Sequence, residues 1–488
     1  MENSLKNKTV KGTFWSAIER FSSMGVQIVC TIIIARFLSP TDFGIIGILL
    51  VFTTIGQVIV ECGFGQALIR KLDATDIDYS SVFYLNIFLG LLVYLLLYLV
   101  SPFIADFYKL PILNSASKIT FLTIPISSFS MIQYTILVKN TEFKRLALIT
   151  VLSSILSGGI AVLIAYYYRN VWALIIQNVL MYFFRTIFLW LFSYWTPILC
   201  FSILSVKTMF RFSAHLLLSG LIGNIFDNIY ALVIGKVYRP VDLGYFSQAD
   251  KMKQYISGSI TEVIKRVTYP ILSTIQNDDN RLKDAYKKII MVSFFIVGFF
   301  MFLLMGISRD LFIFLLGEKW ETSGHFFCIL CINGALYPLH LINQNILYVK
   351  GRSSAVLKLE LFRRLLMLVI IFITVHFDMI YMIYMIWGSV IYNILLLFVN
   401  LYYCGSAIKY SVFEQLKDIF PIILFCVIMF LLMSLCNSLL VDLLLVIRML
   451  IVTVVGGVFF ISMASFTHLK PYIDLVSIVK TMVYRKSL

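Results

Sequence analysis

Ser16, Arg20, Ser23, Gln27 and Thr31 recur at spacings of 4, 3, 4 and 4 inside an otherwise apolar stretch, with Glu19 beside them. Those spacings put the five on one face of a helix. A guanidinium on such a face can grip an anion through two parallel hydrogen bonds. Arg185, in Tyr-Phe-Phe-Arg-Thr-Ile-Phe (182–188), offers the same chemistry. The alternative for both arginines is a buried structural pair, for Arg20 with Glu19 or Glu61. Adding 200 to Gln27 gives Asp227, flanked by Asn224 and Asn228. A carboxylate with apolar flanks suits a proton-coupled step, or a hydrogen bond to a sugar or a neighbouring helix. Glu61 either carries a coupling ion or balances Arg70. Lys251 lies three residues after Gln248, on a face that Lys253 cannot share, which makes Lys251 the candidate of the two. The eight cysteines sit mostly in apolar stretches, and Cys328 and Cys331 have no second pair with which to hold zinc. Neither a metal nor a cofactor is expected.

Lipid is the solvent that these groups must be positioned in. Of 488 residues 60% are hydrophobic and 13% charged, at a mean hydropathy of +0.93, against roughly 25% charged in a globular chain. A helical span needs about 20 apolar residues, and lipid-exposed irregular backbone is forbidden. The chain is therefore read as an all-α polytopic membrane protein. The first apolar stretch is too long for a signal peptide and lacks a small-residue cleavage site, so it reads as a retained span. About 14 transmembrane helices are expected, at 12–37, 43–64, 81–105, 116–138, 146–168, 170–193, 212–235, 243–262, 288–308, 323–348, 356–376, 379–404, 418–438 and 441–465. The eighth is weakest by hydropathy. With both termini cytoplasmic, 25 of the 40 Lys and Arg fall in inside segments and 8 outside, as the positive-inside rule requires. The net charge of +15 is then mostly topology, and no nucleic-acid partner is implied.

LSPTDFGIIG (38–47) returns 200 positions later as YRPVDLGYFS (238–247). The elbow residues are Pro40, Asp42 and Gly44 in one copy, Pro240, Asp242 and Gly244 in the other. Proline fixes the bend, aspartate is placed to cap the following helix, and glycine permits a tight approach. Six spans separate the copies, so they face the same side. The predicted architecture is two parallel six-helix lobes (1–204 and 205–405) plus two C-terminal helices and a tail (406–488), with a substrate path between lobes. Arg363 and Arg364 are expected to snorkel, and 277–288 to form an interfacial helix on the inner leaflet. The last two spans carry little charge beyond Asp442 and Arg448, compatible with a lipid-tail surface.

The stretches KGTFWSAIERF (11–21), ARFLSPTDFG (35–44), ECGFGQALIRK (61–71) and VTYPILSTIQND (267–278) resemble the Wzx-type polysaccharide and O-antigen repeat-unit flippases. More closely, they resemble the lipopolysaccharide and teichuronic-acid exporter branch of the MOP superfamily. The resemblance implies transfer of an undecaprenyl-pyrophosphate-linked glycan between leaflets of the bacterial cytoplasmic (inner) membrane by alternating access. It implies a polar cavity, which would be lined by Arg20, Gln27, Arg185, Asn224, Asp227, Asn228, Gln248 and Lys251. It also implies polymerase and chain-length regulator proteins as partners, beside membrane lipids. If a H+ or Na+ gradient drives the cycle, Glu19, Glu61 or Asp227 would carry it. Two other readings compete. A multidrug or small-molecule antiporter of the same superfamily would favour carboxylates over arginines in its cavity. A membrane glycan polymerase or ligase would need larger loops than the roughly 20-residue connections here.

Overall fold

The computed structural model describes residues 2–376 and 381–484; the side chain of Ser16 and the start of the span expected at 379–404 lie outside the described residues. Every element among them is helical. Among the described residues eleven helices are long and apolar enough to cross a membrane, or twelve if the bent pair 112–128 and 131–139 is one span. The expected spans 243–262 and 356–376 also fold as helix. Both carry more charge than the rest, among them Asp250, Lys251 and Lys253 in one and Glu360, Arg363 and Arg364 in the other.

The chain divides into two compact units, 1–247 and 248–488. The first contains α1 (Glu2–Phe37), α2 (Pro40–Glu61), α3 (Phe64–Arg70), α4 (Asp76–Tyr108), α5 (Ile112–Thr120), α6 (Thr123–Ser128), α7 (Met131–Lys139), α8 (Phe143–Tyr168), α9 (Trp172–Phe192), α10 (Ile203–Asp227) and α11 (Ile229–Val237). It also holds the start of α12 (Pro240–Lys253). Two helices expected to be continuous are broken. The fourth span bends by 46° between α6 and α7, and the seventh stops at Asn228. α8 packs on α1 and α9, while α10 and α11 run along α2. Small residues allow that close run, because glycine lets helix backbones approach in lipid. Gly63 faces Leu216, Gly220 faces Val58, and Gly235 faces Ile48, which makes the pairing antiparallel.

The elbow before α2 is a capping box. Ser39 Oγ accepts from the Asp42 amide (3.3 Å), and the Asp42 carboxylate reaches back to the Ser39 amide (2.9 Å). The cap is thus Ser39, with Asp42 as its partner at the third helical position, where the sequence assigned capping to the aspartate. Before α12 the equivalent position is Arg239, and its guanidinium grips both Asp242 oxygens (3.1 and 3.3 Å).

At the other end of α2, Lys139 Nζ donates to the carbonyls of Leu68 (3.0 Å) and Lys71 (2.7 Å) and to the Tyr79 hydroxyl (3.1 Å). It thereby satisfies orphan carbonyls at the end of α3. Lys139→Met should lower stability by about 1.5–3 kcal/mol, the scale of lost charged hydrogen bonds. Thermal unfolding of the purified protein in detergent reads this; an unshifted transition would assign those carbonyls to other donors.

In the second unit, the π-helical stretch Gln254–Gly258 joins α12 to α13 (Ser259–Thr274). There follow α14 (Asp279–Gly306), α15 (Ser308–Leu316), α16 (Glu321–Val349), α17 (Ser353–His376), α18 (Met382–Ile408), α19 (Val412–Leu439), α20 (Leu445–Phe466) and α21 (Lys470–Tyr484). α16 is central, packing on α14, α15 and α18. Its buried polar groups are partly paired: Asn333 with Ser389 (2.8 Å), His340 with Asn400 (2.9 Å), and Asn343 with Tyr286.

One sequence expectation changes in this unit. The run 277–288 is no separate interfacial helix but the continuous first turns of α14. Its cations meet carboxylates of this unit: Lys287 with Asp418 (2.6 Å), Lys288 with Asp474 (2.7 Å), and Lys283 with Glu414 (3.5 Å). Arg363 and Arg364 both approach Glu360 (3.4 and 3.6 Å), and Arg363 also donates to Tyr392 (3.2 Å).

Candidate functional site

Within the first unit a polar cavity of about 380 Å³ opens where the fourth span bends. One wall is the last turns of α2, with Gln57, Val60 and Glu61. The second is the α6–α7 break, with Ser127, Ser128, Ser130, Met131 and Tyr134. The third is α9, with Tyr182, Arg185 and Leu189. Spacing builds the polar faces: Gln57 and Glu61 are four apart, Tyr182 and Arg185 three apart, and each pair shares one side of its helix. The bend supplies the rest, because non-helical backbone at membrane depth is tolerated where it lines a cavity.

The walls are held by hydrogen bonds behind them. Tyr182 donates to Gln57 Oε1 (3.2 Å), joining α9 to α2. Thr186 donates to the Ile126 carbonyl (3.0 Å) and accepts from the Ser130 hydroxyl (3.0 Å), and Trp190 donates to the Phe129 carbonyl (2.9 Å). These bonds fix α9 across the broken span. The Arg185 guanidinium lies over the Tyr134 ring at 5.0 Å, within cation–π range. Glu61 lines the same cavity, with no ion pair to Arg185 among the described residues. Gln57 Nε2 is buried without an acceptor.

Residues 33–325 match the family described as Polysaccharide biosynthesis protein. The chain belongs to that family. It is 28% identical to the teichuronic acid biosynthesis protein TuaB of Bacillus subtilis over 361 residues, covering 72% of this chain and 73% of that protein. It is 25% identical to the lipopolysaccharide biosynthesis protein WzxC of Escherichia coli over 372 residues, 74% of each. The fold is that of the lipid II flippase MurJ in an inward-closed conformation, with a TM-score of 0.74 at 17% identity over 95% of this chain and all of that one. The resemblance carried by the four sequence stretches therefore holds at the level of family and fold: this is a multi-pass membrane protein of the polysaccharide biosynthesis family with a MurJ-like fold.

Within this polysaccharide biosynthesis protein the named residues are dispersed. Arg185 and Glu61 meet in the cavity, so the charge that Glu61 faces is Arg185 rather than Arg70, which instead stacks on Phe212 at 4.9 Å. Arg20 and Gln27 are exposed on α1. Arg20 forms no ion pair with Glu19 or Glu61 among the described residues, and Glu19 instead accepts from Thr150 (3.1 Å). Asn224 and Asn228 turn their amides onto carbonyls of their own chain, Gly220 (3.1 Å) and Asn224 (2.9 Å). Asp227, the last residue of α10, is exposed at the break before α11. In the second unit Gln248 is buried with its amide nitrogen unpaired, and Asp250 pairs with Lys253, leaving Lys251 to its own face. Sequence reasoning missed Gln57, Tyr134, Tyr182 and the serines. The four- and three-residue spacings onto Glu61 and Arg185 were visible; the bend that brings in Tyr134 was not.

Proposed function

We propose that this protein flips undecaprenyl-pyrophosphate-linked oligosaccharide repeat units across the bacterial cytoplasmic membrane by alternating access, for surface polysaccharide biosynthesis. The family match carries the reading, and the TuaB and WzxC alignments support it over about three-quarters of the chain. The chain is a transporter and not an enzyme. Its 14 spans form two six-helix lobes, 1–204 and 205–405, with 406–488 as the C-terminal addition and both termini in the cytoplasm. Charged groups at membrane depth are costly and are functional candidates by default. Arg20 and Lys251 draw the pyrophosphate in while the polyprenyl tail stays in lipid, and Gln27, Asn224, Asp227, Asn228 and Gln248 line the path. The cavity that holds Arg185 faces the head group. Coupling to H+ or Na+ runs through Glu19, Glu61 or Asp227, and a polymerase and a chain-length regulator act downstream.

The test is deletion of the gene, followed by leaflet-resolved extraction of lipid-linked glycans and scoring of surface polysaccharide. Complete units held in the inner leaflet, with surface polymer lost and restored by the wild-type gene, are the expected result. Single units accumulating in the outer leaflet would move the function to polymerisation or ligation.

A further inference from the structure

The cavity at the bend of the fourth span carries both a cation and a carboxylate, and neither is consumed by the other. We propose that it is a subsite for one uncharged sugar ring of the transported glycan, separate from the groups that bind pyrophosphate. The inference rests on the flippase reading and specifies what this cavity does within it.

Charge is the first argument. With Glu61 ionised, Arg185 and Glu61 sum to zero, so a pyrophosphate with two or more negative charges would meet a carboxylate beside the one cation among the lining residues. At membrane depth that repulsion is poorly screened. A neutral polyhydroxyl ligand meets no such penalty: Glu61 accepts hydroxyl protons and Arg185 donates to hydroxyl oxygens, each as a charge-assisted bond. Unmet capacity is the second argument. Gln57 Nε2 is buried without an acceptor although Tyr182 holds the other end of that amide. A buried donor left unpaired costs about 1–3 kcal/mol, and a ligand oxygen at that position removes the cost. Shape is the third. Tyr134 is 37% exposed, with Arg185 lying over its ring, and Val60, Met131 and Leu189 provide apolar wall. A few convergent polar groups on an aromatic and apolar lining is the usual make-up of a small-ligand site. A volume of about 380 Å³ lies at the low end of the roughly 300–1,000 Å³ such sites span, which favours a single ring over a chain.

The full-length protein, purified in detergent, is titrated in saturation-transfer NMR with methyl glucoside, methyl galactoside, N-acetylglucosamine and glycine, and separately with sodium pyrophosphate, followed by its 31P line broadening. At least one sugar is expected to give transfer. Its affinity should fall about tenfold in Glu61→Gln and in Gln57→Glu, two near-isosteric changes that remove different hydrogen-bonding groups. Lys109→Ala, at the distant α4–α5 turn, should leave it unchanged. Pyrophosphate binding that strengthens in Glu61→Gln and vanishes in Arg185→Met would overturn the proposal in favour of an anion site. Binding of glycine alone would make it a zwitterion site, and binding of none of the three sugars would end the proposal. Each of these failures, seen together with inner-leaflet accumulation in the deletion strain, removes the subsite alone. Outer-leaflet accumulation would remove the reading on which it stands.

Discussion

Asp310→Ala and Arg448→Ala each destabilise the protein by about 3–5 kcal/mol, the scale at which one partner of a buried pair is left uncompensated. The Arg448 guanidinium meets the two Asp310 oxygens at 2.8 and 2.6 Å, and the side chains are 12% and 2% exposed. Asp310 stands in the first turn of α15 and Arg448 in that of α20, so the pair clamps the last span to the body of the second unit. The same principle gives the complementary result: Asp310→Leu with Arg448→Met, an apolar pair of similar volume, should recover most of the loss. Thermal unfolding in detergent of the wild type, Asp310→Leu, Arg448→Met and the double variant closes the double-mutant cycle. Additive losses, with no recovery in the double variant, would show that the clamp lies elsewhere.

Gly44→Ala and Gly244→Ala should each cost about 1–3 kcal/mol, the range for overpacking a tight contact, and should abolish surface polysaccharide export. A methyl group at Gly44 would overlap the Pro240 carbonyl, and one at Gly244 would overlap the Pro40 carbonyl. The obstacle in each case is backbone, which cannot rotate aside as a side chain does. Because the two substitutions open one shared contact, their costs should not add. Gly159→Ala, where an added methyl meets nothing within 4 Å, is the control and should unfold as the wild type. Additive costs for Gly44 and Gly244 would mean that the two elbows are packed independently.

The elbows were legible because a repeated polar turn in an apolar chain has few explanations, and the glycines identified the close approach before any partner was known. The helical membrane class was equally plain from composition. The breaks were not: Asn228 ends α10 through backbone angles that no local proline or glycine dictates, and the bend at Ser128–Met131 follows Pro125 by a full turn. Hydropathy averages across both. In the site, Arg185 and Glu61 stood out because charge at membrane depth is costly, whereas Tyr134 and Tyr182 were lost among 27 tyrosines, most of which suit an interfacial belt equally well. Arg448 was read as part of a bland lipid-facing pair of spans because its partner lies 138 residues upstream, beyond any local pattern.

That separation has a consequence for how the protein is made. At roughly 5–20 residues per second, the ribosome adds Arg448 about 7–28 s after Asp310. During that interval α15 holds a carboxylate whose counter-charge has not yet been synthesised, so its final placement waits for nearly the whole chain. Truncations that end before α20 strand that carboxylate permanently. They are expected to be degraded as unfinished products rather than to persist as shortened transporters.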